Sequence, residues 1–316
     1  MSVASRFVFV VNPRSAAGAT LRRFEAHRRH FSERLREKGL DLEVRLTERP
    51  RHATEITRAA IASGATAVVA VGGDGTNNEV VNGFFDDDGA RLSGDTAFGV
   101  VTSGTGGDFR RAFGWSTNPD DDLERLVHLR RRRIDLGRLT CRGPDGRSVT
   151  RHFINVSSFG LSGDVVDVAN HSGKRLGAKL SFLAASVQAF LRYTPQTVRL
   201  RFDDGPVTTE AITFVALANG QYFGGGMHVA PQASPDDGFF DGVVIKGGGL
   251  SFWARHGLKL YSGGLVDVDG VRVVRCKTLH AESVDQDPVY IDLDGEQPGT
   301  LPATWTIVPS SLDLLV

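Results

Sequence analysis

Cysteine is nearly absent: Cys141 and Cys276 stand far apart in 316 residues, in no CxxC or Cys/His cluster. That excludes a disulfide scaffold and a zinc site, and each thiol reads as buried and structural in a reducing compartment. An excess of charge is lacking too. Thirty-seven Lys and Arg balance thirty-seven Asp and Glu, so no bulk electrostatic footprint for nucleic acid exists and none is expected as a partner. The longest apolar helical candidate, Phe182–Leu191, falls far short of the ~20 residues that span a bilayer. The run Phe7–Val11 is too short for a signal-peptide core and ends in the turn signal Asn12-Pro13, so export is not expected. Missing motifs exclude further classes. No GxxxxGK[ST], no HRD or DFG and no GxGxxG occurs, which removes P-loop, protein-kinase-type and dinucleotide-fingerprint sites. Asp292-Leu293-Asp294-Gly295-Glu296 lacks the spacing of a calcium loop.

With 41% hydrophobic residues, the chain has material for two cores. Up to Asp135, strand signals at Arg6–Val11, Leu42–Leu46, Ala67–Val71 and Ala97–Val101 alternate with helical stretches, predicting a parallel α/β sheet with crossover helices. Beyond Asp135 come short β-rich runs: His152–Val156, Val198–Phe202, Ile212–Ala218, Gly242–Ile245, Val271–Cys276 and Val289–Leu293. One amphipathic helix is expected at Lys174–Arg192, its Leu176, Leu180, Leu183, Val187 and Leu191 serving core packing or an acyl-chain groove.

The most informative segment is Gly72-Gly73-Asp74-Gly75-Thr76-Asn77-Asn78-Glu79, which follows the apolar run Ala67–Val71. A strand, a glycine turn and a helix make a phosphate site: glycines let amides approach closely, and the helix N-terminus favours an anion. Thr76 and Glu79 form a capping-box pair at that helix start. Asp74 among anion-attracting groups makes sense beside polyphosphate if it orients Mg²⁺ or its water shell. Two further loops at strand ends, Asn12–Ser15 and Ser103–Asp108, complete a candidate site at one sheet edge.

Asn12-Pro13, the glycine loop with Glu79 and Asn82, Gly104-Thr105 with Asp108-Phe109, Asn219, Ser234–Gly238 and Asp294-Gly295-Glu296 occur in an ordered series across nearly the whole chain. In this the chain resembles the diacylglycerol kinase and sphingosine kinase-like lipid kinases, especially their soluble bacterial branch. The resemblance implies a parallel-sheet α/β N-terminal domain, NAD kinase/phosphofructokinase-like, at 1–134, joined to a β-rich sandwich domain at 135–303 that takes the acceptor. Residues 304–316 would return to the first domain.

ATP contacts carried over by the resemblance are Asn12, Pro13, Thr47, Gly72, Gly73, Asp74, Gly75, Thr76, Asn77, Asn78 and Thr105. A structural Mg²⁺ would take the Asp237 carboxylate and backbone oxygens of Ser234 and Phe239. Asp74, Asp108 and Asp135 match an acidic network holding catalytic Mg²⁺ through waters. Glu296 is the implied proton acceptor, with Asp294 as orienter or alternative base, although Asp294-Gly295 also reads as a hairpin turn. One departure stands out: Gly104-Thr105-Gly106-Gly107-Asp108 replaces the family's Gly-Thr-x-Asn-Asp, losing an amide side chain near the nucleotide, and Ser103 replaces a common proline.

The expected function is an ATP- and Mg²⁺-dependent kinase acting on a lipid hydroxyl, with diacylglycerol as leading acceptor. An NAD kinase-like enzyme on a soluble substrate and a non-catalytic nucleotide- or lipid-binding regulator are the alternatives. The expected location is cytoplasmic. Peripheral contact with the inner face of the membrane and a homodimer stay open. Arg130–Arg133, with Arg110 and Arg111, would face anionic headgroups or answer a helix C-terminus.

Overall fold

A computed structural model describes residues 5–103, 107–161, 193–247, 250–285 and 287–316. The helix expected at Lys174–Arg192, and Gly104 and Thr105, lie outside these. The chain divides into two compact units, Met1–Asp135 with Ser310–Val316, and Leu136–Pro309.

In the first unit, β1 (Ser5–Val11), β2 (Leu40–Leu46), β3 (Ala67–Gly72) and β4 (Ala97–Thr102) pair in parallel in the order β2-β1-β3-β4. β1 and β3 are continuous Val, Phe and Ala runs because helices cover both faces of such a sheet. Helix α1 (Ala19–Glu37) places Phe24, Phe31 and Leu35 on one stripe, and Phe9 of β1 meets the Phe24 ring at 5.7 Å and Phe31 at 6.2 Å. Helix α2 (His52–Ala62) leads into β3 and α3 (Asp74–Asn82) leaves it.

The capping box expected at α3 does not form. Gly73 is its N-cap, with no side-chain bond, and Glu79 turns outward instead. Its Oε2 accepts from Ala53 N at 3.2 Å, an orphan donor of the first turn of α2, and its backbone carbonyl accepts from the Thr54 hydroxyl at 2.7 Å. α5 (Pro119–His128) shows the cap its sequence encodes: Asn118 accepts from Asp120 N at 3.2 Å, with Pro119 at the first helical position. That helix closes at Leu129, so Arg131–Arg133 open strand β5 (Arg131–Arg142) and do not sit on a helix C-terminus. Arg131 pairs with Asp95 at 2.6 Å and Arg133 with Asp313 at 3.5 Å.

The second unit is antiparallel. β9 (Thr208–Ala218) lies centrally, bonded to β7 (Val156–Gly160), β8 (Gln196–Phe202) and β12 (Phe240–Lys246). β12 continues to β13 (Val271–Cys276), while β14 (Thr278–Ser283) and β15 (Tyr290–Leu293) pair with the long β16 (Glu296–Leu315). The sequence run His152–Val156 is not one strand: β6 (Ser148–Phe153) ends and β7 begins across a bend at Ile154-Asn155.

Alternation along β9 and β12 feeds two cores. Val215, Leu217, Phe240 and Val244 enter one with Phe153, Phe159 and Trp305; Ala216, Ala218, Val243 and Ile245 enter the other. The rings of Phe159 and Trp305 stack at 5.1 Å. Burial pushes the Cys141 thiol up to about 11 and Cys276 up to about 12, so both cysteines are inert packing groups.

Candidate active site

Strand register gathers the loops of the first unit. Val11 pairs with both Leu46 and Val71, and Gly72 pairs with Thr102, so the chain leaves four strands along one edge, at Asn12, Thr47, Gly73 and Ser103. In the order β2-β1-β3-β4, the connections from β1 and β3 depart in opposite directions. That reversal opens the crevice in which α/β sheets bind ligands.

Asn12 and Thr76 close the crevice floor. Asn12 Nδ2 donates to Thr76 Oγ1 at 3.2 Å, while Asn12 Oδ1 accepts from Arg14 N at 3.0 Å. Pro13 occupies the second place of the turn in which Ser15 N bonds Asn12 O at 3.2 Å, the place its fixed φ suits. Thr47, buried, donates its N–H to Val11 O at 2.9 Å. Thr76, Asn77 and Asn78 are also buried, and Asn77 Oδ1 has no hydrogen-bond partner among the described residues.

The glycines act by size and not by backbone freedom: Gly72, Gly73 and Gly75 all keep ordinary φ. A Cβ on Gly72 would lie 2.3 Å from Thr76 Oγ1, whereas Gly75 faces open space at the first turn of α3. Among the described glycines of these loops, Gly107 needs its freedom, at φ 65 before the short helix α4 (Asp108–Ala112). Asn is the side-chain-bearing residue that best tolerates that region, so the change from the family's Asn keeps the backbone and gives up only the amide.

Asp74 is fixed by α4: its Oδ2 accepts from Asp108 N at 3.1 Å and its Oδ1 from Phe109 N at 3.2 Å. Asp108 pairs with Arg111 at 2.8 Å, and Asp135 accepts from Ser310 N at 2.7 Å. Each of the three carboxylates therefore ends on a protein donor. Among the described residues, no three His, Cys, Asp or Glu side chains come together as a metal cage. Their hard oxygens, already hydrogen-bonded, fit an ion held through water and not by direct ligation. Asp122, which the sequence did not single out, anchors the exit from β4: Oδ2 accepts from Thr102 N at 2.9 Å, Arg125 pairs with it, and burial holds its carboxyl above the usual range.

In the second unit, Asp294 (φ 49) and Gly295 (φ 88) form a two-residue hairpin turn between β15 and β16, with Leu293 paired to Glu296. The turn is also a clamp. Asp294 receives three successive amides, Ile154 N at 2.8 Å and Asn155 N and Val156 N at 3.1 Å, and returns its own N–H to Val156 O at 3.1 Å. Such a concave run of N–H groups is built for an anion, here an internal one. Asn219, fully buried, braces the bend, its Nδ2 donating to Ile154 O at 2.8 Å. Glu296 is exposed beside the turn. The bend escaped the sequence reading, although Asn155, Ser157 and Ser158 interrupting an apolar run were a signal of it.

The acidic loop expected to hold a metal carries its own set of contacts. Asp237 Oδ1 accepts from Phe239 N at 3.0 Å and Oδ2 takes the Arg275 guanidinium at 2.9 Å, which also lies 4.4 Å from the Phe239 ring centroid. Ser234 Oγ donates to Asp236 at 2.7 Å. Asp237 therefore answers a protein cation with one oxygen and an amide of its own loop with the other.

Comparison with known proteins adds an independent line. Residues 6–139 match the diacylglycerol kinase catalytic domain, and residues 155–316 match the YegS C-terminal NAD kinase beta sandwich-like domain. A diacylglycerol kinase from Mycobacterium tuberculosis is 28% identical over 308 residues, 97% of this chain and 93% of that one. A probable lipid kinase YegS-like from Xanthomonas oryzae pv. oryzae is 30% identical over 264 residues, 83% of this chain and 82% of the other. The fold matches the crystal structure of a putative diacylglycerol kinase from Bacillus anthracis with a TM-score of 0.76 at 23% identity, covering 100% of this chain and 96% of that one.

Proposed function

Because this chain belongs to the diacylglycerol kinase and YegS-like family of lipid kinases, we propose that diacylglycerol is the alcohol to which it transfers the γ-phosphate of ATP. The observation that carries the assignment of roles is the Asp294 clamp. A carboxylate occupied by three amides is a positioning group, which leaves Glu296, exposed on the other side of Gly295, as the proton acceptor.

In this reading Met1–Asp135 with Ser310–Val316 hold the nucleotide and Leu136–Pro309 hold the lipid, so the returning segment is shorter than the 304–316 expected from sequence. Asn12, Pro13, Thr47, Gly72–Asn78 and Thr105 contact ATP, its phosphates resting against the first turn of α3, where the open face of Gly75 admits them. Glu296 takes the proton of the lipid hydroxyl as its oxygen bonds to the γ-phosphorus. The bond from that phosphorus to the bridging oxygen breaks in line, and ADP departs with the electron pair. Mg²⁺, when bound, neutralises the phosphate charge; Asp74, Asp108 and Asp135 would hold it through water. No step is drawn through an ion at Ser234, Asp237 and Phe239. Among the described residues no helix is long and apolar enough to cross a membrane. We place the enzyme in the cytoplasm, meeting its lipid from the membrane surface.

Transfer of labelled γ-phosphate from ATP into extractable lipid, across diacylglycerol, sphingosine, monoacylglycerol and phosphatidylglycerol in mixed micelles, tests the reading. Labelled phosphatidic acid, the phosphate monoester of diacylglycerol, is expected. Label in NAD and in none of the lipids would replace it by the soluble-substrate kinase. Glu296→Gln is expected to abolish turnover with ATP affinity nearly intact; an unchanged rate would remove Glu296 from its role.

A further inference from the structure

Between Lys246 and Asp267 the sequence contains no acidic residue, in a chain whose acids and bases otherwise balance. The stretch carries Arg255, His256 and Lys259 among large apolar side chains, and the helix Leu250–His256 with the turn Lys259–Ser262 sorts them. Phe252, Trp253 and Leu260 pack onto the second core of the antiparallel unit. Leu258 and Tyr261 do the opposite, at 88% and 60% exposure, and Arg255 and Lys259 are exposed beside them.

A single exposed leucine is ordinary. Here it stands with a tyrosine and two cations on a helix and turn seated by Phe252, Trp253 and Leu260, in a stretch of sequence without an acid. A side chain 88% exposed has no walls around it, so it offers no groove to a protein segment. It can itself enter a soft apolar phase. Tyrosine is suited to the headgroup layer, and Arg and Lys to lipid phosphates. The Arg130–Arg133 run is a poorer match, since Arg131 and Arg133 are already paired with Asp95 and Asp313.

We propose that Leu258 and Tyr261, flanked by Arg255 and Lys259, form the point at which this enzyme enters an anionic phospholipid surface. The purpose of that contact rests on the lipid-kinase reading, but the contact itself can be measured without it. The full chain is sedimented with vesicles of phosphatidylcholine containing phosphatidylglycerol and no diacylglycerol. The double variant Leu258→Asp, Tyr261→Ser changes only exposed positions and is checked for an unaltered thermal midpoint.

Binding by the native chain is expected, with a loss of roughly tenfold to a hundredfold in the variant, the scale of one or two buried apolar side chains. Arg255→Gln with Lys259→Gln should weaken binding to the anionic vesicles and leave pure phosphatidylcholine unaffected. On a short-chain diacylglycerol kept below its aggregation concentration, native and variant rates should agree. Equal sedimentation of native and variant protein would overturn the proposal. So would a native dimer that the same substitutions dissociate, since the face would then join two copies. If the short-chain diacylglycerol is not phosphorylated, the lipid-kinase reading fails while the vesicle result still decides the surface.

Discussion

Asp292 offers a quantitative test of how the Asp-Gly-Glu hairpin is supported. It is 6% exposed, it accepts from Gly295 N at 2.8 Å, and its carbonyl accepts from Ser157 Oγ, which is bonded to Trp305 Nε1. Burial pushes its carboxyl up to about 7; the Gly295 N–H pulls it down, and the carboxylates of Asp294 and Glu296 add to the rise. Against about 3.9 in an unfolded chain that is roughly three pH units, with a ceiling of about 4 kcal/mol at ~1.4 kcal/mol per unit. Since the folded value is raised, the fold favours the neutral acid. The stabilisation is therefore complete below about pH 4, declines as pH rises and is gone above about pH 7.

Asn keeps the size and the acceptor for Gly295 but cannot ionise. Asp292→Asn should thus gain about 2 kcal/mol relative to the native protein between pH 5 and pH 8. Urea unfolding followed at Trp305 emission, with Trp115 and Trp253 replaced by Phe, measures that difference for the unit that contains it. A difference that stays constant across the range, or that turns against the variant at pH 8, would refute the argument that Asp292 is held neutral.

Other outcomes follow from the same geometry. Asp294→Ala strands three buried amides and should cost about 3 kcal/mol or more of stability in urea, with turnover falling while ATP affinity holds. Gly72→Ala forces a methyl against Thr76 Oγ1, and a loss of about 1–3 kcal/mol with weaker ATP binding is expected by calorimetry; an unchanged nucleotide affinity would detach that loop from the site. At Gly107, Asn should be tolerated while Val lowers the thermal midpoint, because φ 65 suits only the first; equal midpoints would count against the strain assigned there.

What was legible in the sequence followed from local chemistry. The apolar runs of β1, β3 and β4 mark their strands because burial on both faces demands them. What failed to show depended on partners distant in the chain. Glu79 looked like a cap for its own helix and instead serves α2; Asp294 looked like a turn residue or a base and is clamped by amides 138 to 140 positions away. Nothing local revealed Arg275 as a neighbour of Asp237. The glycines of the Gly72–Gly75 loop were read for backbone freedom, whereas Gly72 keeps an ordinary φ and is there to let Thr76 come close.

The seven residues Ser310–Val316 have a consequence for biosynthesis. Leu314 pairs in parallel with Phe98, Val316 N bonds Arg130 O, and Leu312, Leu314 and Leu315 are buried. A ribosome therefore finishes Met1–Asp135 and must translate all of Leu136–Pro309, roughly 10–35 s at ordinary elongation rates, before the first unit can complete its own sheet. During that interval the nascent unit presents an unfilled seam, a natural site for chaperones to occupy. Loss of Ser310–Val316 would damage the unit that is translated before it.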